Sequence, residues 1–428
     1  MVGTAGPSPV VEAMYAREVW PWALLGIASG LVEGGTVAVL VKKGYSGPVA
    51  PHWVNFAAAL VSGAPALANI SSFVWANHAH GRARVGVLAS LQAAFAIAVG
   101  LVALAPSAAA GLVVTIFAVI LARVLWTGVL TVRAAVWSAN YPRHVMARVT
   151  SRIVMVSSMG VAGIALLAGW VLDQHAAAAR WLYLLAALCG LVASFRYRAV
   201  RVRREYQLLS AEVGSGAASG AFNLSMLREI LRADPAFRAY MFWMSLYGAG
   251  NLMMNAQLVV LFSDRLLLSS LTQILLLTVL PLLLMPVFLP WWAQLFDRGH
   301  VIEYRSRQCW ALVAAIVLLT LGVVLRQPWL LWPGAVLMGI SYAGASLGWN
   351  LGHNDFAPAG RAQQYMGVHV TLTGVRGLIA PPLGMACYEW LEWQHAGWGA
   401  AALLLPLGLV VAGAIGFVKM RGMVQVRL

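Results

Sequence analysis

Long apolar stretches alternate with short polar connections over almost the whole chain. Each stretch holds about 20 residues, which is enough for an α-helix to cross the hydrocarbon core of a bilayer. Because that core contains no water, the backbone must satisfy its own hydrogen bonds, as it does only in helices and closed barrels. Barrel strands would alternate in polarity over roughly 10 residues, and these stretches do not. The pattern predicts an all-α, polytopic membrane protein.

We predict twelve transmembrane helices in two six-helix bundles, residues 1–197 and 238–428. The cytoplasmic linker 198–237 separates them and carries a short amphipathic segment, "NLSMLREILRADPAF". Its leucines and isoleucine recur at helical spacing, so we expect it to lie on the membrane surface. The predicted helices, numbered 1 to 12 here, span residues 20–41, 53–76, 85–105, 110–137, 151–172, 180–197, 238–262, 268–292, 308–326, 329–352, 364–388 and 397–419.

Composition agrees with a membrane protein and changes the interpretation of the charge. The chain is 61% hydrophobic and 10% charged, whereas a soluble domain is about half apolar and a quarter charged. A net charge of +15 would suggest nucleic acid in a soluble protein, but here the arginines fall in short loops and act as topology signals. Since most Lys and Arg lie on the side that holds both chain ends, we predict cytoplasmic termini and no nucleic-acid partner. The opposite side holds Lys42, Lys43, Arg180, Arg265 and Arg326.

Several kinds of chemistry find no support in the sequence. The three cysteines lie within apolar stretches without C-x-x-C spacing, so we infer neither a disulfide nor a metal site. No phosphate-cradling G-x-x-x-x-G-K-[ST] loop is present, which argues against ATP-driven transport. We therefore predict a protein that is not an enzyme and needs no cofactor. The first apolar stretch is long enough to remain as a span, so we expect no cleavable signal peptide. Three lysines among 29 basic residues are typical of a GC-rich bacterium and favour a bacterial inner membrane.

The two halves of the chain echo each other, and one loop carries a family motif. The loop after helix 4 begins "NYPRHVMAR" and the loop after helix 10 begins "NDFAPAGRA", about half a chain apart, as expected for two related repeats. After helix 8 the chain reads "WAQLFDRGHVIEYRSR". Asp297 and Arg298 there match the D-R/K core of the loop motif found in the major facilitator superfamily. After helix 2, in "WANHAHGRARV", Asn77 stands where that motif has an aspartate.

The chain resembles the major facilitator superfamily in architecture over nearly its whole length. That resemblance implies a central cavity lined by helices 1, 4, 7 and 10, with help from helices 2, 5, 8 and 11, and alternating access between two bundles. It also implies a gating role for Asp297 and Arg298 at the cytoplasmic face. The drug-antiporter signature of helix 5, which ends G-P-x-x-G-G, is absent.

Three ionisable residues lie near the middle of predicted helices: Glu33, Arg123 and Arg376. A charge at that depth costs roughly 2.5–3.5 kcal/mol, so it usually faces the protein interior and has a partner. Glu33, in "GLVEGGTVAVL", shares one helix face with Gly26 and Gly30, and small residues let a neighbouring helix or ligand approach closely. We predict that Glu33 is a proton-coupling site. The alternative is a permanent ion pair with one of the arginines that fixes helix packing.

One acid against two arginines at this depth leaves a surplus of positive charge. An anionic substrate would neutralise it, so we predict that Arg123 and Arg376 bind substrate, with structural pairing as the alternative. Asn251 and Asn255 lie one turn apart in helix 7 and are predicted to line the same cavity, or else to bond between helices.

Two further polar residues, Asn350 and Asp355, lie at the cytoplasmic end of helix 10. We predict a gating contact for them, while a helix C-cap and an interfacial anchor are the simpler alternative.

These features predict a secondary active transporter, proton-coupled through Glu33, that moves a small organic solute of anionic character across the bilayer. One alternative is a proton-driven exporter of amphipathic compounds, for which 18 Trp would supply aromatic contacts. The other, from a different class, is a non-transporting membrane sensor or assembly partner.

Overall fold

The computed structural model describes residues 9–215, 224–358 and 361–424, and these fold into helices joined by short loops. The first 80 residues contain three helices and a short fourth one. Four longer helices follow before the linker. In the first half the α-helices are α1 (Pro9–Gly30), α2 (Gly34–Tyr45), α3 (Pro51–Ala68), α4 (Ser72–Ala79), α5 (Arg84–Leu101), α6 (Ala109–Asn140), α7 (Arg143–Gln174) and α8 (Ala179–Tyr197).

The linker and the second half supply the remaining helices. These are α9 (Glu205–Ser215), α10 (Leu224–Ala233), α11 (Pro235–Asp264), α12 (Ser270–Ile274), α13 (Leu280–Phe296), α14 (Val301–Val324), α15 (Leu331–Leu351), α16 (Ala362–Gln394) and α17 (Leu404–Val424). A π-helical turn, Leu275–Val279, connects α12 to α13, so the two belong to one span, Ser270–Phe296, in a segment rich in proline.

Ten helical segments within the described residues are long and apolar enough to cross a membrane, or eleven when α1 and α2 count as one broken span. All of these coincide with predicted spans. The predicted span 238–262 corresponds to α11, which has 30 residues but does not pass the same test because polar side chains interrupt its apolar sequence. The all-helical class is confirmed, and the number of twelve spans stays a prediction.

The helices pack in two sets that meet along a few surfaces. Helices α1 to α8 contact one another, as do α11 to α17. The sets meet where α2 and α3 face α11 and α16, and where α7 faces α12 and α13. The boundaries of the two predicted bundles, and their independence, remain predictions.

The first span differs from the continuous helix predicted over 20–41. It begins at Pro9, and it breaks between Gly30 and Gly34 with a bend of 42°. Glu33 lies in this break, in extended backbone with φ −74° and ψ 136°, and its carbonyl accepts the first hydrogen bond of α2 from Val37. The earlier start also brings Glu18 into the helix, at a position that the sequence pattern left outside the membrane.

Glycine lets α1 approach α7 as the glycine face predicts. A Cβ atom on Gly26 would lie 2.1 Å from the carbonyl oxygen of Ser157, and one on Gly30 would lie 2.4 Å from the Ile164 side chain. Both distances are far below van der Waals contact, so only glycine fits at these two positions. This packing fixes the orientation of the break that carries Glu33.

The two ends of the helix bundle can be told apart by their contacts. At one end Arg17 donates to the carbonyl of Ala199 at the start of the linker, and Arg361 lies 3.6 Å from Glu229 on α10. We call this the linker end, and the other the far end. The amphipathic segment forms α10, whose Ile230 is buried against the bundle.

Candidate functional site: a cavity between the two sets of helices

A cavity of about 450 Å³ lies between the two sets of helices. Its walls come from α1, α2, α3, α6 and α7 on one side and from α11, α13, α15 and the π-helical turn on the other. The volume falls in the range of small-molecule sites, about 300–1,000 Å³. Seven of the eight helices that the family resemblance implies contribute; helix 11, which is α16, is not among the lining elements.

Glu33 and Arg123 form an ion pair beside this cavity. The Arg123 Nη1 atom donates to Glu33 Oε2 over 3.1 Å. The Glu33 side chain is 40% exposed and lines the cavity, whereas the Arg123 side chain is only 9% exposed and lies behind it. The structure thus brings together two of the three midplane charges and leaves the carboxylate accessible from the cavity.

The second set of helices contributes amide groups to the opposite wall. Asn251 and Asn255 on α11 both line the cavity, and the Tyr342 hydroxyl donates to Asn251 Oδ1 over 3.3 Å. Asn251 therefore also bonds between α11 and α15, so each of the two alternatives for this residue has a contact in its favour.

Arg376 lies away from both Glu33 and the cavity lining. Its guanidinium donates to the carbonyl oxygens of Met244 and Leu372 and to the Thr373 hydroxyl. A Cβ atom on Gly248 would lie 2.2 Å from Arg376 Nη1, so the arginine packs tightly against α11. This geometry joins α16 to α11, while a role in substrate binding stays a prediction.

The four residues predicted to act in gating lie at the linker end, outside the lining of the central cavity. Asp297 ends α13, and Arg298 lines a small cavity of about 30 Å³ beside α14. The Asp355 carboxylate accepts from the Val301 amide over 2.6 Å, and Asn350 donates to the Ser346 carbonyl. Asp355 thus caps the start of α14, which is a different contact from the C-cap of helix 10 in the simpler alternative, and its gating role stays a prediction.

A polar network at the far end, which the sequence did not reveal, ties the two sets together. Lys42 on α2 donates to Asp264 Oδ2 on α11 over 2.7 Å and to Asn55 Oδ1 on α3 over 2.8 Å. Asn55 in turn donates to Glu389 on α16 over 2.7 Å. We call these four residues the far-end network. From sequence, Lys42 was only one of two lysines after the first span.

Asp173 makes a second connection at the same end. Its two carboxylate oxygens accept from the amides of Ser270 and Leu271, over 2.6 and 3.0 Å, at the start of α12 in the other set. A carboxylate is favourable at the start of a helix because unpaired amide groups point towards it. The far end is therefore closed around the cavity.

A buried acid at the linker end was also missed. Glu18 on α1 is fully buried and accepts from Trp137 Nε1 over 2.6 Å, from the Tyr141 hydroxyl over 3.1 Å and from the Tyr197 hydroxyl over 3.4 Å. Burial, and then the negative charge of Glu18, raise the pKa of Tyr141 above its ordinary value. The Tyr141 phenol therefore stays protonated and donates a hydrogen bond to Glu18. The signal for this residue was a glutamate two positions before "WPW".

Comparison with solved structures places this architecture. The chain superposes on a D-xylose–proton symporter with a TM-score of 0.72 and 12% identity, covering 95% of this chain and 97% of that one. It superposes on the POT family transporter PepTSo with a TM-score of 0.72 and 10% identity, covering 97% of this chain and 99% of that one. A variant of the nucleoside transporter NupG gives 0.69 and 10%, covering 95% and 99%.

The chain has the major facilitator superfamily fold. With identities this low, the likeness concerns the fold. No family model matches the sequence, and no curated protein matches it either. The major facilitator fold and the apolar helices make the chain an integral multi-pass membrane protein. In this fold the cavity described above occupies the space between the two sets of helices.

Proposed function

We propose that the protein is a secondary active transporter that works by alternating access between its two sets of helices. The observation that carries the proposal is the cavity between the sets, with an accessible carboxylate at its wall and a closed far end. Such a cavity meets the physical requirement of alternating access, which is a site reached from one side at a time. A sensor or assembly partner needs no such cavity.

Glu33 is the proposed proton-coupling residue. As a carboxylate it is held by the Arg123 guanidinium, and protonation would remove the charge that forms the ion pair. Because Glu33 lies in the break between α1 and α2, release of the pair frees a segment that touches both sets. Gly35, two residues further on, packs closely against the second set: a Cβ atom on Gly35 would lie 2.5 Å from the Thr278 Oγ1 atom. A change at Glu33 thus has a short path to the interface.

The proposed substrate is a small organic solute with anionic character. Arg123 becomes available to a solute anion when Glu33 is protonated, and Asn251 and Asn255 offer hydrogen bonds from the opposite wall. In this proposal Arg376 reaches substrate only in a conformation in which α16 has moved, since its guanidinium now bonds to backbone carbonyls. Export of an amphipathic compound is a second candidate, which Trp22 and Trp126 in the cavity lining favour.

The proposed orientation puts both termini and the linker in the cytoplasm of a bacterium, with the protein in the inner membrane. The far end then faces outside, and the described conformation is closed on that side. The gating residues Asp297, Arg298, Asn350 and Asp355 would then form cytoplasmic contacts in the opposite conformation.

Transport by the purified full chain in liposomes tests the proposal. A thermal-shift screen over organic acids, sugars and amphipathic drugs first identifies solutes that stabilise the protein, and each is then offered to proteoliposomes with an imposed pH gradient. We expect accumulation that follows the gradient and disappears when a protonophore collapses it. If solutes bind but none crosses the membrane faster than in empty liposomes, under either gradient direction, the transporter proposal is wrong.

A further inference from the structure

Arg133, a cavity residue with no role so far, lies on α6 ten residues beyond Arg123, or roughly 15 Å along the helix. Its side chain lines the cavity towards the linker end, together with Trp22 and Trp126. Unlike Arg123, it forms no hydrogen bond or ion pair with any residue that the structure describes. Its Nε atom is buried without a partner. The side chain as a whole is only partly buried, so the other donors of the guanidinium can reach the cavity, whereas a buried donor such as Nε is nearly always satisfied.

Two indole rings hold the Arg133 guanidinium in place. Its Cζ atom lies 4.2 Å from the centre of the Trp137 ring and 4.8 Å from that of the Trp22 ring. These cation–π contacts act on the face of the guanidinium. The N–H donors lie in the guanidinium plane, and stacking does not consume them. The arrangement therefore fixes the cation while leaving its hydrogen-bonding capacity unused.

Glu18, the acid on the other side of the Trp137 ring, does not bond to the N–H donors of Arg133. Glu18 accepts from Trp137, Tyr141 and Tyr197, and the Trp137 indole presents its N–H to Glu18 and its ring face to Arg133. Glu18 thus offsets the charge of Arg133 through an intervening ring and not by a direct ion pair. A positive group that is held in place and only partly compensated is suited to bind an anion.

The rest of the cavity defines what kind of anion would fit. The wall next to Arg133 is aromatic and aliphatic, with Trp22, Trp126 and Ile153, of which Trp126 is the most exposed at 8%. The amide groups of Asn251 and Asn255 belong to the opposite set of helices. An occupant needs an anionic group at one end, an apolar or aromatic body against the indoles, and room for a hydrogen-bonding group further on. About 450 Å³ suits such a molecule.

We propose that Arg133 is a further anion-binding residue of the cavity, and that it selects amphipathic organic monoanions, such as aryl carboxylates, by pairing with their anionic group while Trp22 and Trp126 contact their apolar part. This inference deepens the proposed function and rests on the same cavity. It adds a third arginine to Arg123 and Arg376, and it makes the tryptophan wall and the positive charge two halves of one site.

Equilibrium binding to the purified full chain in nanodiscs, without any gradient, tests the proposal. The probes are 2-naphthoate and 2-naphthalenesulfonate, each compared with its neutral amide. We expect the wild-type protein to bind at least one anion tenfold or more tightly than its amide. Arg133→Gln should weaken anion binding by at least tenfold and remove the preference over the amide, while Arg133→Lys should keep part of it.

A matched control is Arg180→Gln, because Arg180 also stacks on a tryptophan, with Cζ 5.1 Å from the Trp181 ring, but lies outside the cavity lining. It should bind the probes like the wild type. The proposal is overturned if the folded Arg133→Gln variant, judged by gel filtration, keeps the anion preference. If that variant does not fold, the wild type decides: equal affinity for both anions and their amides, or no binding of either anion, overturns the proposal. Gradient-driven transport that persists without anion preference would overturn this inference alone, and anion binding without transport would leave it standing while the transporter proposal fails.

Discussion

Lys42 and Asp264 form an ion pair of 2.7 Å that joins α2 to α11, and with it the two sets of helices, at the far end. The Lys42 side chain is 5% exposed and that of Asp264 is 45% exposed. The ammonium group is therefore buried while its acidic partner borders the surface. Asn55 connects this pair to Glu389, so four helices share one network. The far-end network thus joins the two sets of helices at the end where Asp173 makes a second connection.

Removing the charge of Lys42 should open the far end. Lys42→Met keeps the length of the side chain but leaves Asn55 and Asp264 without their donor, at a cost of about 1–3 kcal/mol. That is roughly a 5- to 150-fold shift between closed and open conformations. The measurement is pulsed electron paramagnetic resonance between labels at Trp53 and Leu267, both exposed, in a cysteine-free background. We expect a larger share of long distances between the two labels in Lys42→Met than in the protein without this substitution.

Arg307→Gln serves as the control for this experiment. Its ion pair with Glu303 spans 2.9 Å with both side chains more than 40% exposed, within one helix at the linker end. Exposed ion pairs of this kind contribute little to stability. The distance distribution between the far-end labels in Arg307→Gln should therefore stay that of the wild type. Unchanged distances in Lys42→Met as well would show that the network does not hold the far end closed.

Close packing of α1 on α7 should make Gly26 intolerant of a side chain. Gly26→Ala would place a methyl group 2.1 Å from a backbone oxygen, and relief requires the helices to separate, for about 1–3 kcal/mol. The midpoint of thermal unfolding in detergent should fall by several degrees. Gly163→Ala on α7, where a Cβ atom meets nothing within 4 Å, should stay close to the wild type. Equal midpoints for the two variants would contradict the described α1–α7 contact.

Glu18 should stabilise the linker end through its carboxylate. In Glu18→Gln one acceptor oxygen becomes an amide that donates, and it would face donors on Trp137, Tyr141 and Tyr197. We expect a loss of about 1–3 kcal/mol, as for a buried group left unsatisfied, seen as a lower unfolding midpoint. Glu12→Gln on the same helix changes an exposed carboxylate and should have no effect. If both variants unfold at the same temperature as the wild type, the hydrogen bonds that Glu18 accepts do not stabilise the fold.

The positions of the helices could be predicted from hydrophobicity, whereas the contacts between helices distant in sequence could not. Apolar length located almost every helix, because a span must be apolar and about 20 residues long. It placed the start of α1 too late, since polar residues such as Glu18 lower local hydropathy although the helix continues from Pro9. The break at Glu33 was also missed, because a three-residue interruption inside an apolar stretch leaves its composition unchanged.

Residues at the cavity show the same division. The pairing of Glu33 with Arg123 was one of two alternatives, and depth alone could not choose between Arg123 and Arg376, which lie at similar depth on different helices. The far-end network joins residues from 42 to 389, and nothing in a single sequence connects charges so far apart. The contacts of Arg133 with Trp22 and Trp137 depend on how the helices are rotated, which the sequence alone does not fix.

Proton coupling through Glu33 would show in the accumulation of a bound solute by proteoliposomes under an imposed pH gradient. Glu33→Gln keeps the size of the side chain and removes its titration, with Glu12→Gln as the control. We expect Glu33→Gln still to bind the solute and exchange it across the membrane, but no longer to concentrate it when the gradient is imposed. A folded Glu33→Gln variant that concentrates the solute as the wild type does, in step with the gradient, would show that Glu33 does not couple transport to protons.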